Sequence, residues 1–183
     1  PKALEKQDFI IVTLKAHSAA LTANAITPLI KENTTVVSAV NGLPWWYFYK
    51  ANNKFENMRL KSVDPQNLQW DNITPQRTLG CVVYPAAEIK APGHVYHLEG
   101  DRFPLGEPDG SKSNRVQELS KILINSGLKS PVRKNIRADI WMKLWGNLAF
   151  NPISVLTGET LEEIVNNNTS CSIVKNMMLE GQA

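Results

Sequence analysis

Apolar residues are arranged in two different ways along this chain. In the first part they come in short continuous runs. Phe9-Ile10-Ile11-Val12-Thr13-Leu14 is one such run, and a continuous apolar stretch of this length predicts a strand covered on both faces in a parallel sheet. A helical pattern over residues 19–30 follows. A second run, Thr35-Val36-Val37-Ser38-Ala39-Val40, then stops at Asn41-Gly42. Strand, helix and strand over this span predict one right-handed βαβ crossover in a Rossmann-like sheet.

Leu79 to Tyr84 predicts a third strand, and Pro92-Gly93 punctuates two shorter extended pieces at 95–98 and 102–105. Gly106-Glu107-Pro108-Asp109-Gly110 is a turn by composition. From Asn114 to Ser126 the apolar residues Val116, Leu119, Ile122 and Leu123 recur at helical spacing, with Gly127 placed to cap the helix. The sheet region closes near Lys134. After it, residues 138–150 read as a helix that is apolar around most of its circumference, followed by Pro152 and a further helical piece from Thr160. Asn166-Asn167-Asn168 reads as a loop. The fold class expected is α/β: a partial Rossmann-like parallel sheet over residues 1–134, then the start of an α-helical second domain over 135–183.

Composition narrows the function. With 183 residues, 43% hydrophobic and 20% charged, the chain is long enough for one domain and part of another and has the make-up of a packed globular protein. Its 20 basic and 17 acidic residues are spread without a like-charge run, so nothing tracks a phosphate backbone and no nucleic-acid partner is expected. Cys81 and Cys171 lack metal-ligand spacing, no metal site is expected, and a reduced, cytoplasmic setting fits. No apolar stretch reaches the length of a membrane span, so no membrane partner is expected. The chain opens without Met and closes inside a helical pattern, which reads as an internal fragment.

Candidate chemistry lies first on the 138–150 helix and its continuation. At about 100° per residue, Lys143, Asn147 and Asn151 fall within an arc of roughly 80°, while Trp141, Leu144, Trp145, Leu148 and Ala149 cover much of the rest. Asparagine is a poor helix-interior residue, so this polar stripe is either a narrow solvated face or a site in which a proton-donating lysine stands beside two substrate-fixing amides. Lys15 and Asn41 stand where the first two strands end, the place where ligands gather in open parallel sheets; the start of a turn explains either residue equally well. Ala86, beyond the third strand, is small enough for a planar ring to lie close. His17, His94 and His97 fit no triad or metal spacing, and Glu88, Glu99 and Asp101 form no pair that the sequence places in a cleft. The aromatic cluster Trp45-Trp46-Tyr47-Phe48-Tyr49 suits core packing, a cleft wall or a subunit contact. No Gly-x-Gly-x-x-Gly occurs in the chain, an absence that truncation before the first strand of a Rossmann domain would explain.

Four segments together resemble the ketopantoate reductases (2-dehydropantoate 2-reductases). They are Val12-Thr13-Leu14-Lys15-Ala16, Asn41-Gly42, Gly80-Cys81-Val82-Val83-Tyr84-Pro85-Ala86-Ala87 and Asn135-Ile136-Arg137-Ala138-Asp139-Ile140-Trp141-Met142-Lys143-Leu144. The match continues through Asn147 and Asn151-Pro152, and Lys-x3-Asn-x3-Asn-Pro is its most specific element. The resemblance implies an NADPH-dependent oxidoreductase that reduces ketopantoate to pantoate in pantothenate biosynthesis. Lys143 is implied as general acid, Asn147 and Asn151 as substrate-binding, and Lys15, Asn41 and Ala86 as NADPH-binding, with Lys15 near the reacting end. A small ketoacid is the expected partner, with a homodimer one option for assembly. The chain departs from the family in lacking the glycine-rich loop and the later serine and acidic residues, so this stretch alone is expected to lack turnover. Two other readings stay open: a reductase of another 2-keto acid with the same build, and a non-catalytic Rossmann-like interaction module.

Overall fold

In the computed structural model, which describes residues 4–182, the runs of apolar residues become a four-stranded sheet of order β1-β2-β3-β6. The strands are β1 (Gln7–Val12), β2 (Ile30–Ser38), β3 (Thr78–Cys81) and β6 (Leu105–Gly106). β1, β2 and β3 run parallel, and β6 joins β3 antiparallel. Residues 129–133 continue the layer beyond β6, where Phe103 N–H donates to the Lys129 carbonyl at 2.7 Å and Leu105 N–H to that of Pro131 at 3.0 Å. The α/β fold expected from the sequence is therefore present, with an antiparallel strand that the apolar runs did not announce.

Burial divides the strands. Residues 34–38 of β2 and all of β3 are buried, as continuous apolar runs demand. β1 is the outermost strand among the described residues, with Ile11 48% exposed. Between β1 and β2 runs α1 (Ala16–Ile26), whose buried residues Ala19, Ala20 and Ala23 are small. The helix starts earlier than its apolar pattern because the Lys15 carbonyl already accepts the N–H groups of Ser18 and Ala19 at 2.9 and 3.0 Å. It stops before Pro28, which has no N–H to continue the ladder.

On the sheet, α3 (Asn114–Asn125) packs Val116 and Leu119 against Val37, Leu79, Cys81 and Leu105 to make the main core. Ser113 caps α3 by accepting the Val116 N–H, and Gly127 ends it at φ +88°, a left-handed conformation that favours glycine. Gly80 and Gly106 face one another across β3 and β6. A Cβ on Gly80 would stand 2.8 Å from the Trp46 ring and 2.9 Å from Ile136 Cγ1. The bare backbone there lets a buried tryptophan and isoleucine pack directly on the sheet. A short helix, α2 (Leu68–Asn72), brings Trp70 against Trp45 at 6.0 Å; Trp45 and Trp46 are thus core residues. The third apolar run ends early as a strand, and a separate hairpin follows, β4 (Ala86–Ala91) with β5 (His94–Glu99), turning at the Pro92-Gly93 dipeptide.

Two compact units divide the chain, one ending with Arg137 and the other beginning with Ala138. Helix α4 (Ile136–Thr157) starts in the last residues of the first unit, and α5 (Leu161–Asn166) and α6 (Asn168–Gln182) complete the second. The second unit has its own core of Ala149, Ile153, Ile164 and Val174. Trp145 Nε1 donates to the Met178 carbonyl at 2.6 Å, tying α4 to α6. Pro152 lies inside α4 rather than ending it, and the asparagine triplet shrinks to a single non-helical residue, Asn167, whose Oδ1 accepts the N–H groups of Thr169 and Ser170.

Candidate functional site

At the carboxyl ends of β1, β2 and β3 the first unit opens into a cleft of about 420 Å³. The end of β1 and the first turn of α1 supply Thr13, Leu14, Lys15, Ala16 and His17; the end of β2 supplies Ala39, Val40 and Asn41. Val83, two residues past β3, and Phe103 close the apolar side. The strands are held in register at this mouth, where the Ala39 N–H donates to the Val12 carbonyl at 3.0 Å. Lys15 takes an extended backbone, φ −64° and ψ 144°, immediately before α1. That conformation ends the strand and starts the helix, and it leaves the lysine at the helix N-terminus.

The electrostatics suit an anion. The amino end of an eleven-residue helix points its N–H groups this way. Lys15 adds a positive charge, and none of the lining residues is acidic. Val83, Phe103 and Ala39 provide an apolar surface against which a ring can lie, and Asn41 offers an amide beside it. The donor set fits a dinucleotide that carries phosphate, ribose and a planar ring.

Lys15 and Asn41, both named from their positions at strand ends, line this one cleft. Ala86 opens the β4–β5 hairpin, three residues beyond Val83 and half-buried. Lys143, Asn147 and Asn151 stand on α4 one turn apart, the stripe spanning about 12 Å of helix axis at 1.5 Å per residue. Lys143 and Asn147 are partly buried and Asn151 is exposed. His17 is the lining residue that spacing arguments passed over. Its signal was its place two residues after Lys15, in the first turn of the helix leaving the strand. His94 and His97 lie on the exposed hairpin, where His97 Nε2 meets the Gly100 carbonyl at 2.6 Å. Among the described residues no cluster of His, Cys, Asp and Glu could hold a metal ion, and no helix is long and apolar enough to cross a membrane.

A parallel sheet with crossover helix and an anion-suited cleft at its carboxyl ends defines a nucleotide-binding α/β unit, here followed by a helical one. The family models settle which kind. Residues 1–110 match ketopantoate reductase PanE/ApbA and residues 135–183 match its C-terminal part, so the chain belongs to the ketopantoate reductase PanE/ApbA family. It is 49% identical over 180 residues to a 2-dehydropantoate 2-reductase of Mesorhizobium japonicum, covering 98% of this chain and 55% of that protein. Among solved structures it resembles a protein of Ralstonia solanacearum MolK2 proposed to be a ketopantoate reductase. That likeness has a TM-score of 0.94 and 38% identity, over 98% of this chain and 56% of the other. D-mandelate dehydrogenase, solved with NADH and anilino(oxo)acetate, shares the fold at a TM-score of 0.75 and 19% identity, over 94% of this chain and 50% of its own. The chain spans about half the length of the curated relatives it matches. The resemblance carried by the Lys-x3-Asn-x3-Asn-Pro pattern is thus borne out.

Proposed function

We propose that this chain forms part of an NADPH-dependent 2-dehydropantoate 2-reductase, in the cytoplasm, on the route to pantothenate. In this reading residues 1–134 are the later part of the cofactor domain and residues 135–183 open the substrate domain. The observation that carries it is the polar stripe Lys143, Asn147 and Asn151 on one face of α4, flanked by Trp141, Leu144, Trp145, Leu148 and Ala149, in a member of this family. NADPH supplies the hydride when bound. Lys15 and Asn41 hold that cofactor in the cleft at the strand ends, Ala86 leaves room beside it, and Val83 and Phe103 exclude water from the ring.

Lys143 acts as the general acid. As the ketone carbon is reduced, charge develops on its oxygen; the Lys143 ammonium first stabilises that charge and then gives it a proton. Asn147 and Asn151 donate and accept hydrogen bonds to the hydroxyl and carboxylate of the ketoacid, fixing the carbonyl for attack. The fold shared with D-mandelate dehydrogenase supports a second reading, in which the substrate is another 2-keto acid. Oxidation of NADPH by the full-length protein, with ketopantoate and phenylglyoxylate in parallel, separates the two. A kcat/KM higher with ketopantoate supports the first reading, and activity with phenylglyoxylate alone replaces it with the second.

A further inference from the structure

The cleft at the strand ends has two unlike walls, both within the first unit. One is largely apolar: Ala39 and Val40 after β2, with Val83 and Phe103 beside them. The other is made by the end of β1 and the first turn of α1, and it carries the polar groups of Thr13, Lys15 and His17. A planar ring suits the first wall, while phosphate and hydroxyl groups suit the second.

Helix α1 begins without a side-chain cap. The residue before it is Lys15, whose ammonium has no acceptor and makes no capping bond. The Lys15 carbonyl takes the N–H groups of Ser18 and Ala19. Among the described residues nothing accepts the two N–H groups ahead of those, from Ala16 and His17. Donors at the start of a helix are met by a side chain, by water or by a ligand, and these two open into the cleft wall.

His17 adds a third donor at the same place. It is the second residue of α1, it lines the cleft and is exposed, and among the described residues its ring makes no hydrogen bond or ion pair. An imidazole carries at least one N–H in either charge state, so the ring can donate without first gaining a proton. No lining residue is acidic, and nothing in the cleft competes with an anion for these donors.

We propose that His17 is a cofactor-binding residue: its ring donates a hydrogen bond to the ribose phosphate on the nicotinamide side of NADPH, beside the Ala16 and His17 backbone N–H groups. The inference rests on the reading of this cleft as the cofactor site. The side follows from how such folds divide. Each half of the open sheet takes one mononucleotide, and the glycine-rich turn belongs to the adenosine half. The strands present here carry no such turn, so they form the nicotinamide half.

The test uses the full-length protein. Alanine is the best helix former, so His17→Ala removes the ring without weakening α1, and its melting temperature should not fall. By calorimetry the variant should bind NADPH about 10- to 100-fold more weakly, the loss of one hydrogen bond to a charged group. Adenosine 2′,5′-bisphosphate, which lacks the nicotinamide half, should bind parent and variant equally. His17→Asn and His17→Gln each carry an amide N–H near the place of one ring nitrogen, and at least one of them should recover most of the affinity. Unchanged NADPH binding by His17→Ala overturns the inference. So does an equal weakening of the bisphosphate, or failure of both amides to recover binding. Failure of the cofactor reading would look different: the unaltered protein would not bind NADPH, and the inference would fall with it.

Discussion

Gly80 shows how much one residue can carry. Its missing side chain is the space that the buried Trp46 ring and Ile136 occupy, so Gly80→Ala places a methyl group 2.8 Å from a rigid indole. Overpacking of this kind costs about 1–3 kcal/mol, and a urea titration of Gly80→Ala should show its midpoint lowered with an unchanged slope. A second residue-scale effect depends on pH. A hydrogen bond from Ser111, and after it one from Lys50, hold the Asp109 carboxyl well below the ordinary carboxylate range; Lys50 is raised, chiefly by its bond to Asp109. A carboxyl depressed by folding contributes stability in full above its unfolded pKa, about 3.9, and loses it as the pH falls toward the folded value. The raised lysine contributes below its unfolded pKa and loses that only in alkali, so the pair is at full strength near neutrality. Asp109→Asn should therefore lose less stability than the parent between about pH 7 and about pH 3; equal losses in the two proteins would remove the ion pair from the account. Lys15 and Asn41 were legible because a strand end is a place the apolar runs mark. His17 was not, because nothing in its own neighbourhood distinguishes a cleft-lining histidine from a surface one.

Among the elements, α3 was readable nearly to the residue, since its apolar spacing and Gly127 agree; the Ser113 cap that starts it came only with the structure. α4 was not, because Pro152 signals a stop and the helix runs on to Thr157. An interior proline costs a helix about 3 kcal/mol. Against this, Ile153 and Ala149 are buried in the core of the second unit, and burying one large aliphatic side chain contributes about 1.5–3 kcal/mol. Tertiary packing wins, and propensity alone could not reveal it. The asparagine triplet misled in the same way: Asn167 has the composition of a loop and acts as the cap of α6. At the start of α5, Thr160 and Glu163 form a reciprocal capping box, with the Thr160 N–H donating to Glu163 Oε2 at 2.7 Å. Thr160→Ala should destabilise the protein by about 1 kcal/mol, readable as a shift in thermal unfolding. An unchanged transition would mean that α5 is held by Ile164 in the core without help from its cap.

For the whole molecule, periodicity predicted the switch from sheet to helix, and the chain folds as two compact units. Long-range pairing was harder to read. That β6 joins β3 antiparallel depends on which segments meet, information that local runs do not contain. The polar stripe on α4 was readable as a pattern, and the role proposed for it rests on the family resemblance. The central claim is that Lys143 protonates the reduced ketone while the strand-end cleft holds the cofactor. Turnover of ketopantoate by the full-length protein and its Lys143→Ala variant, beside NADPH binding by each, tests it directly. The account predicts a loss of about three orders of magnitude in kcat with cofactor affinity retained; a variant that turns over as fast as the parent would contradict it.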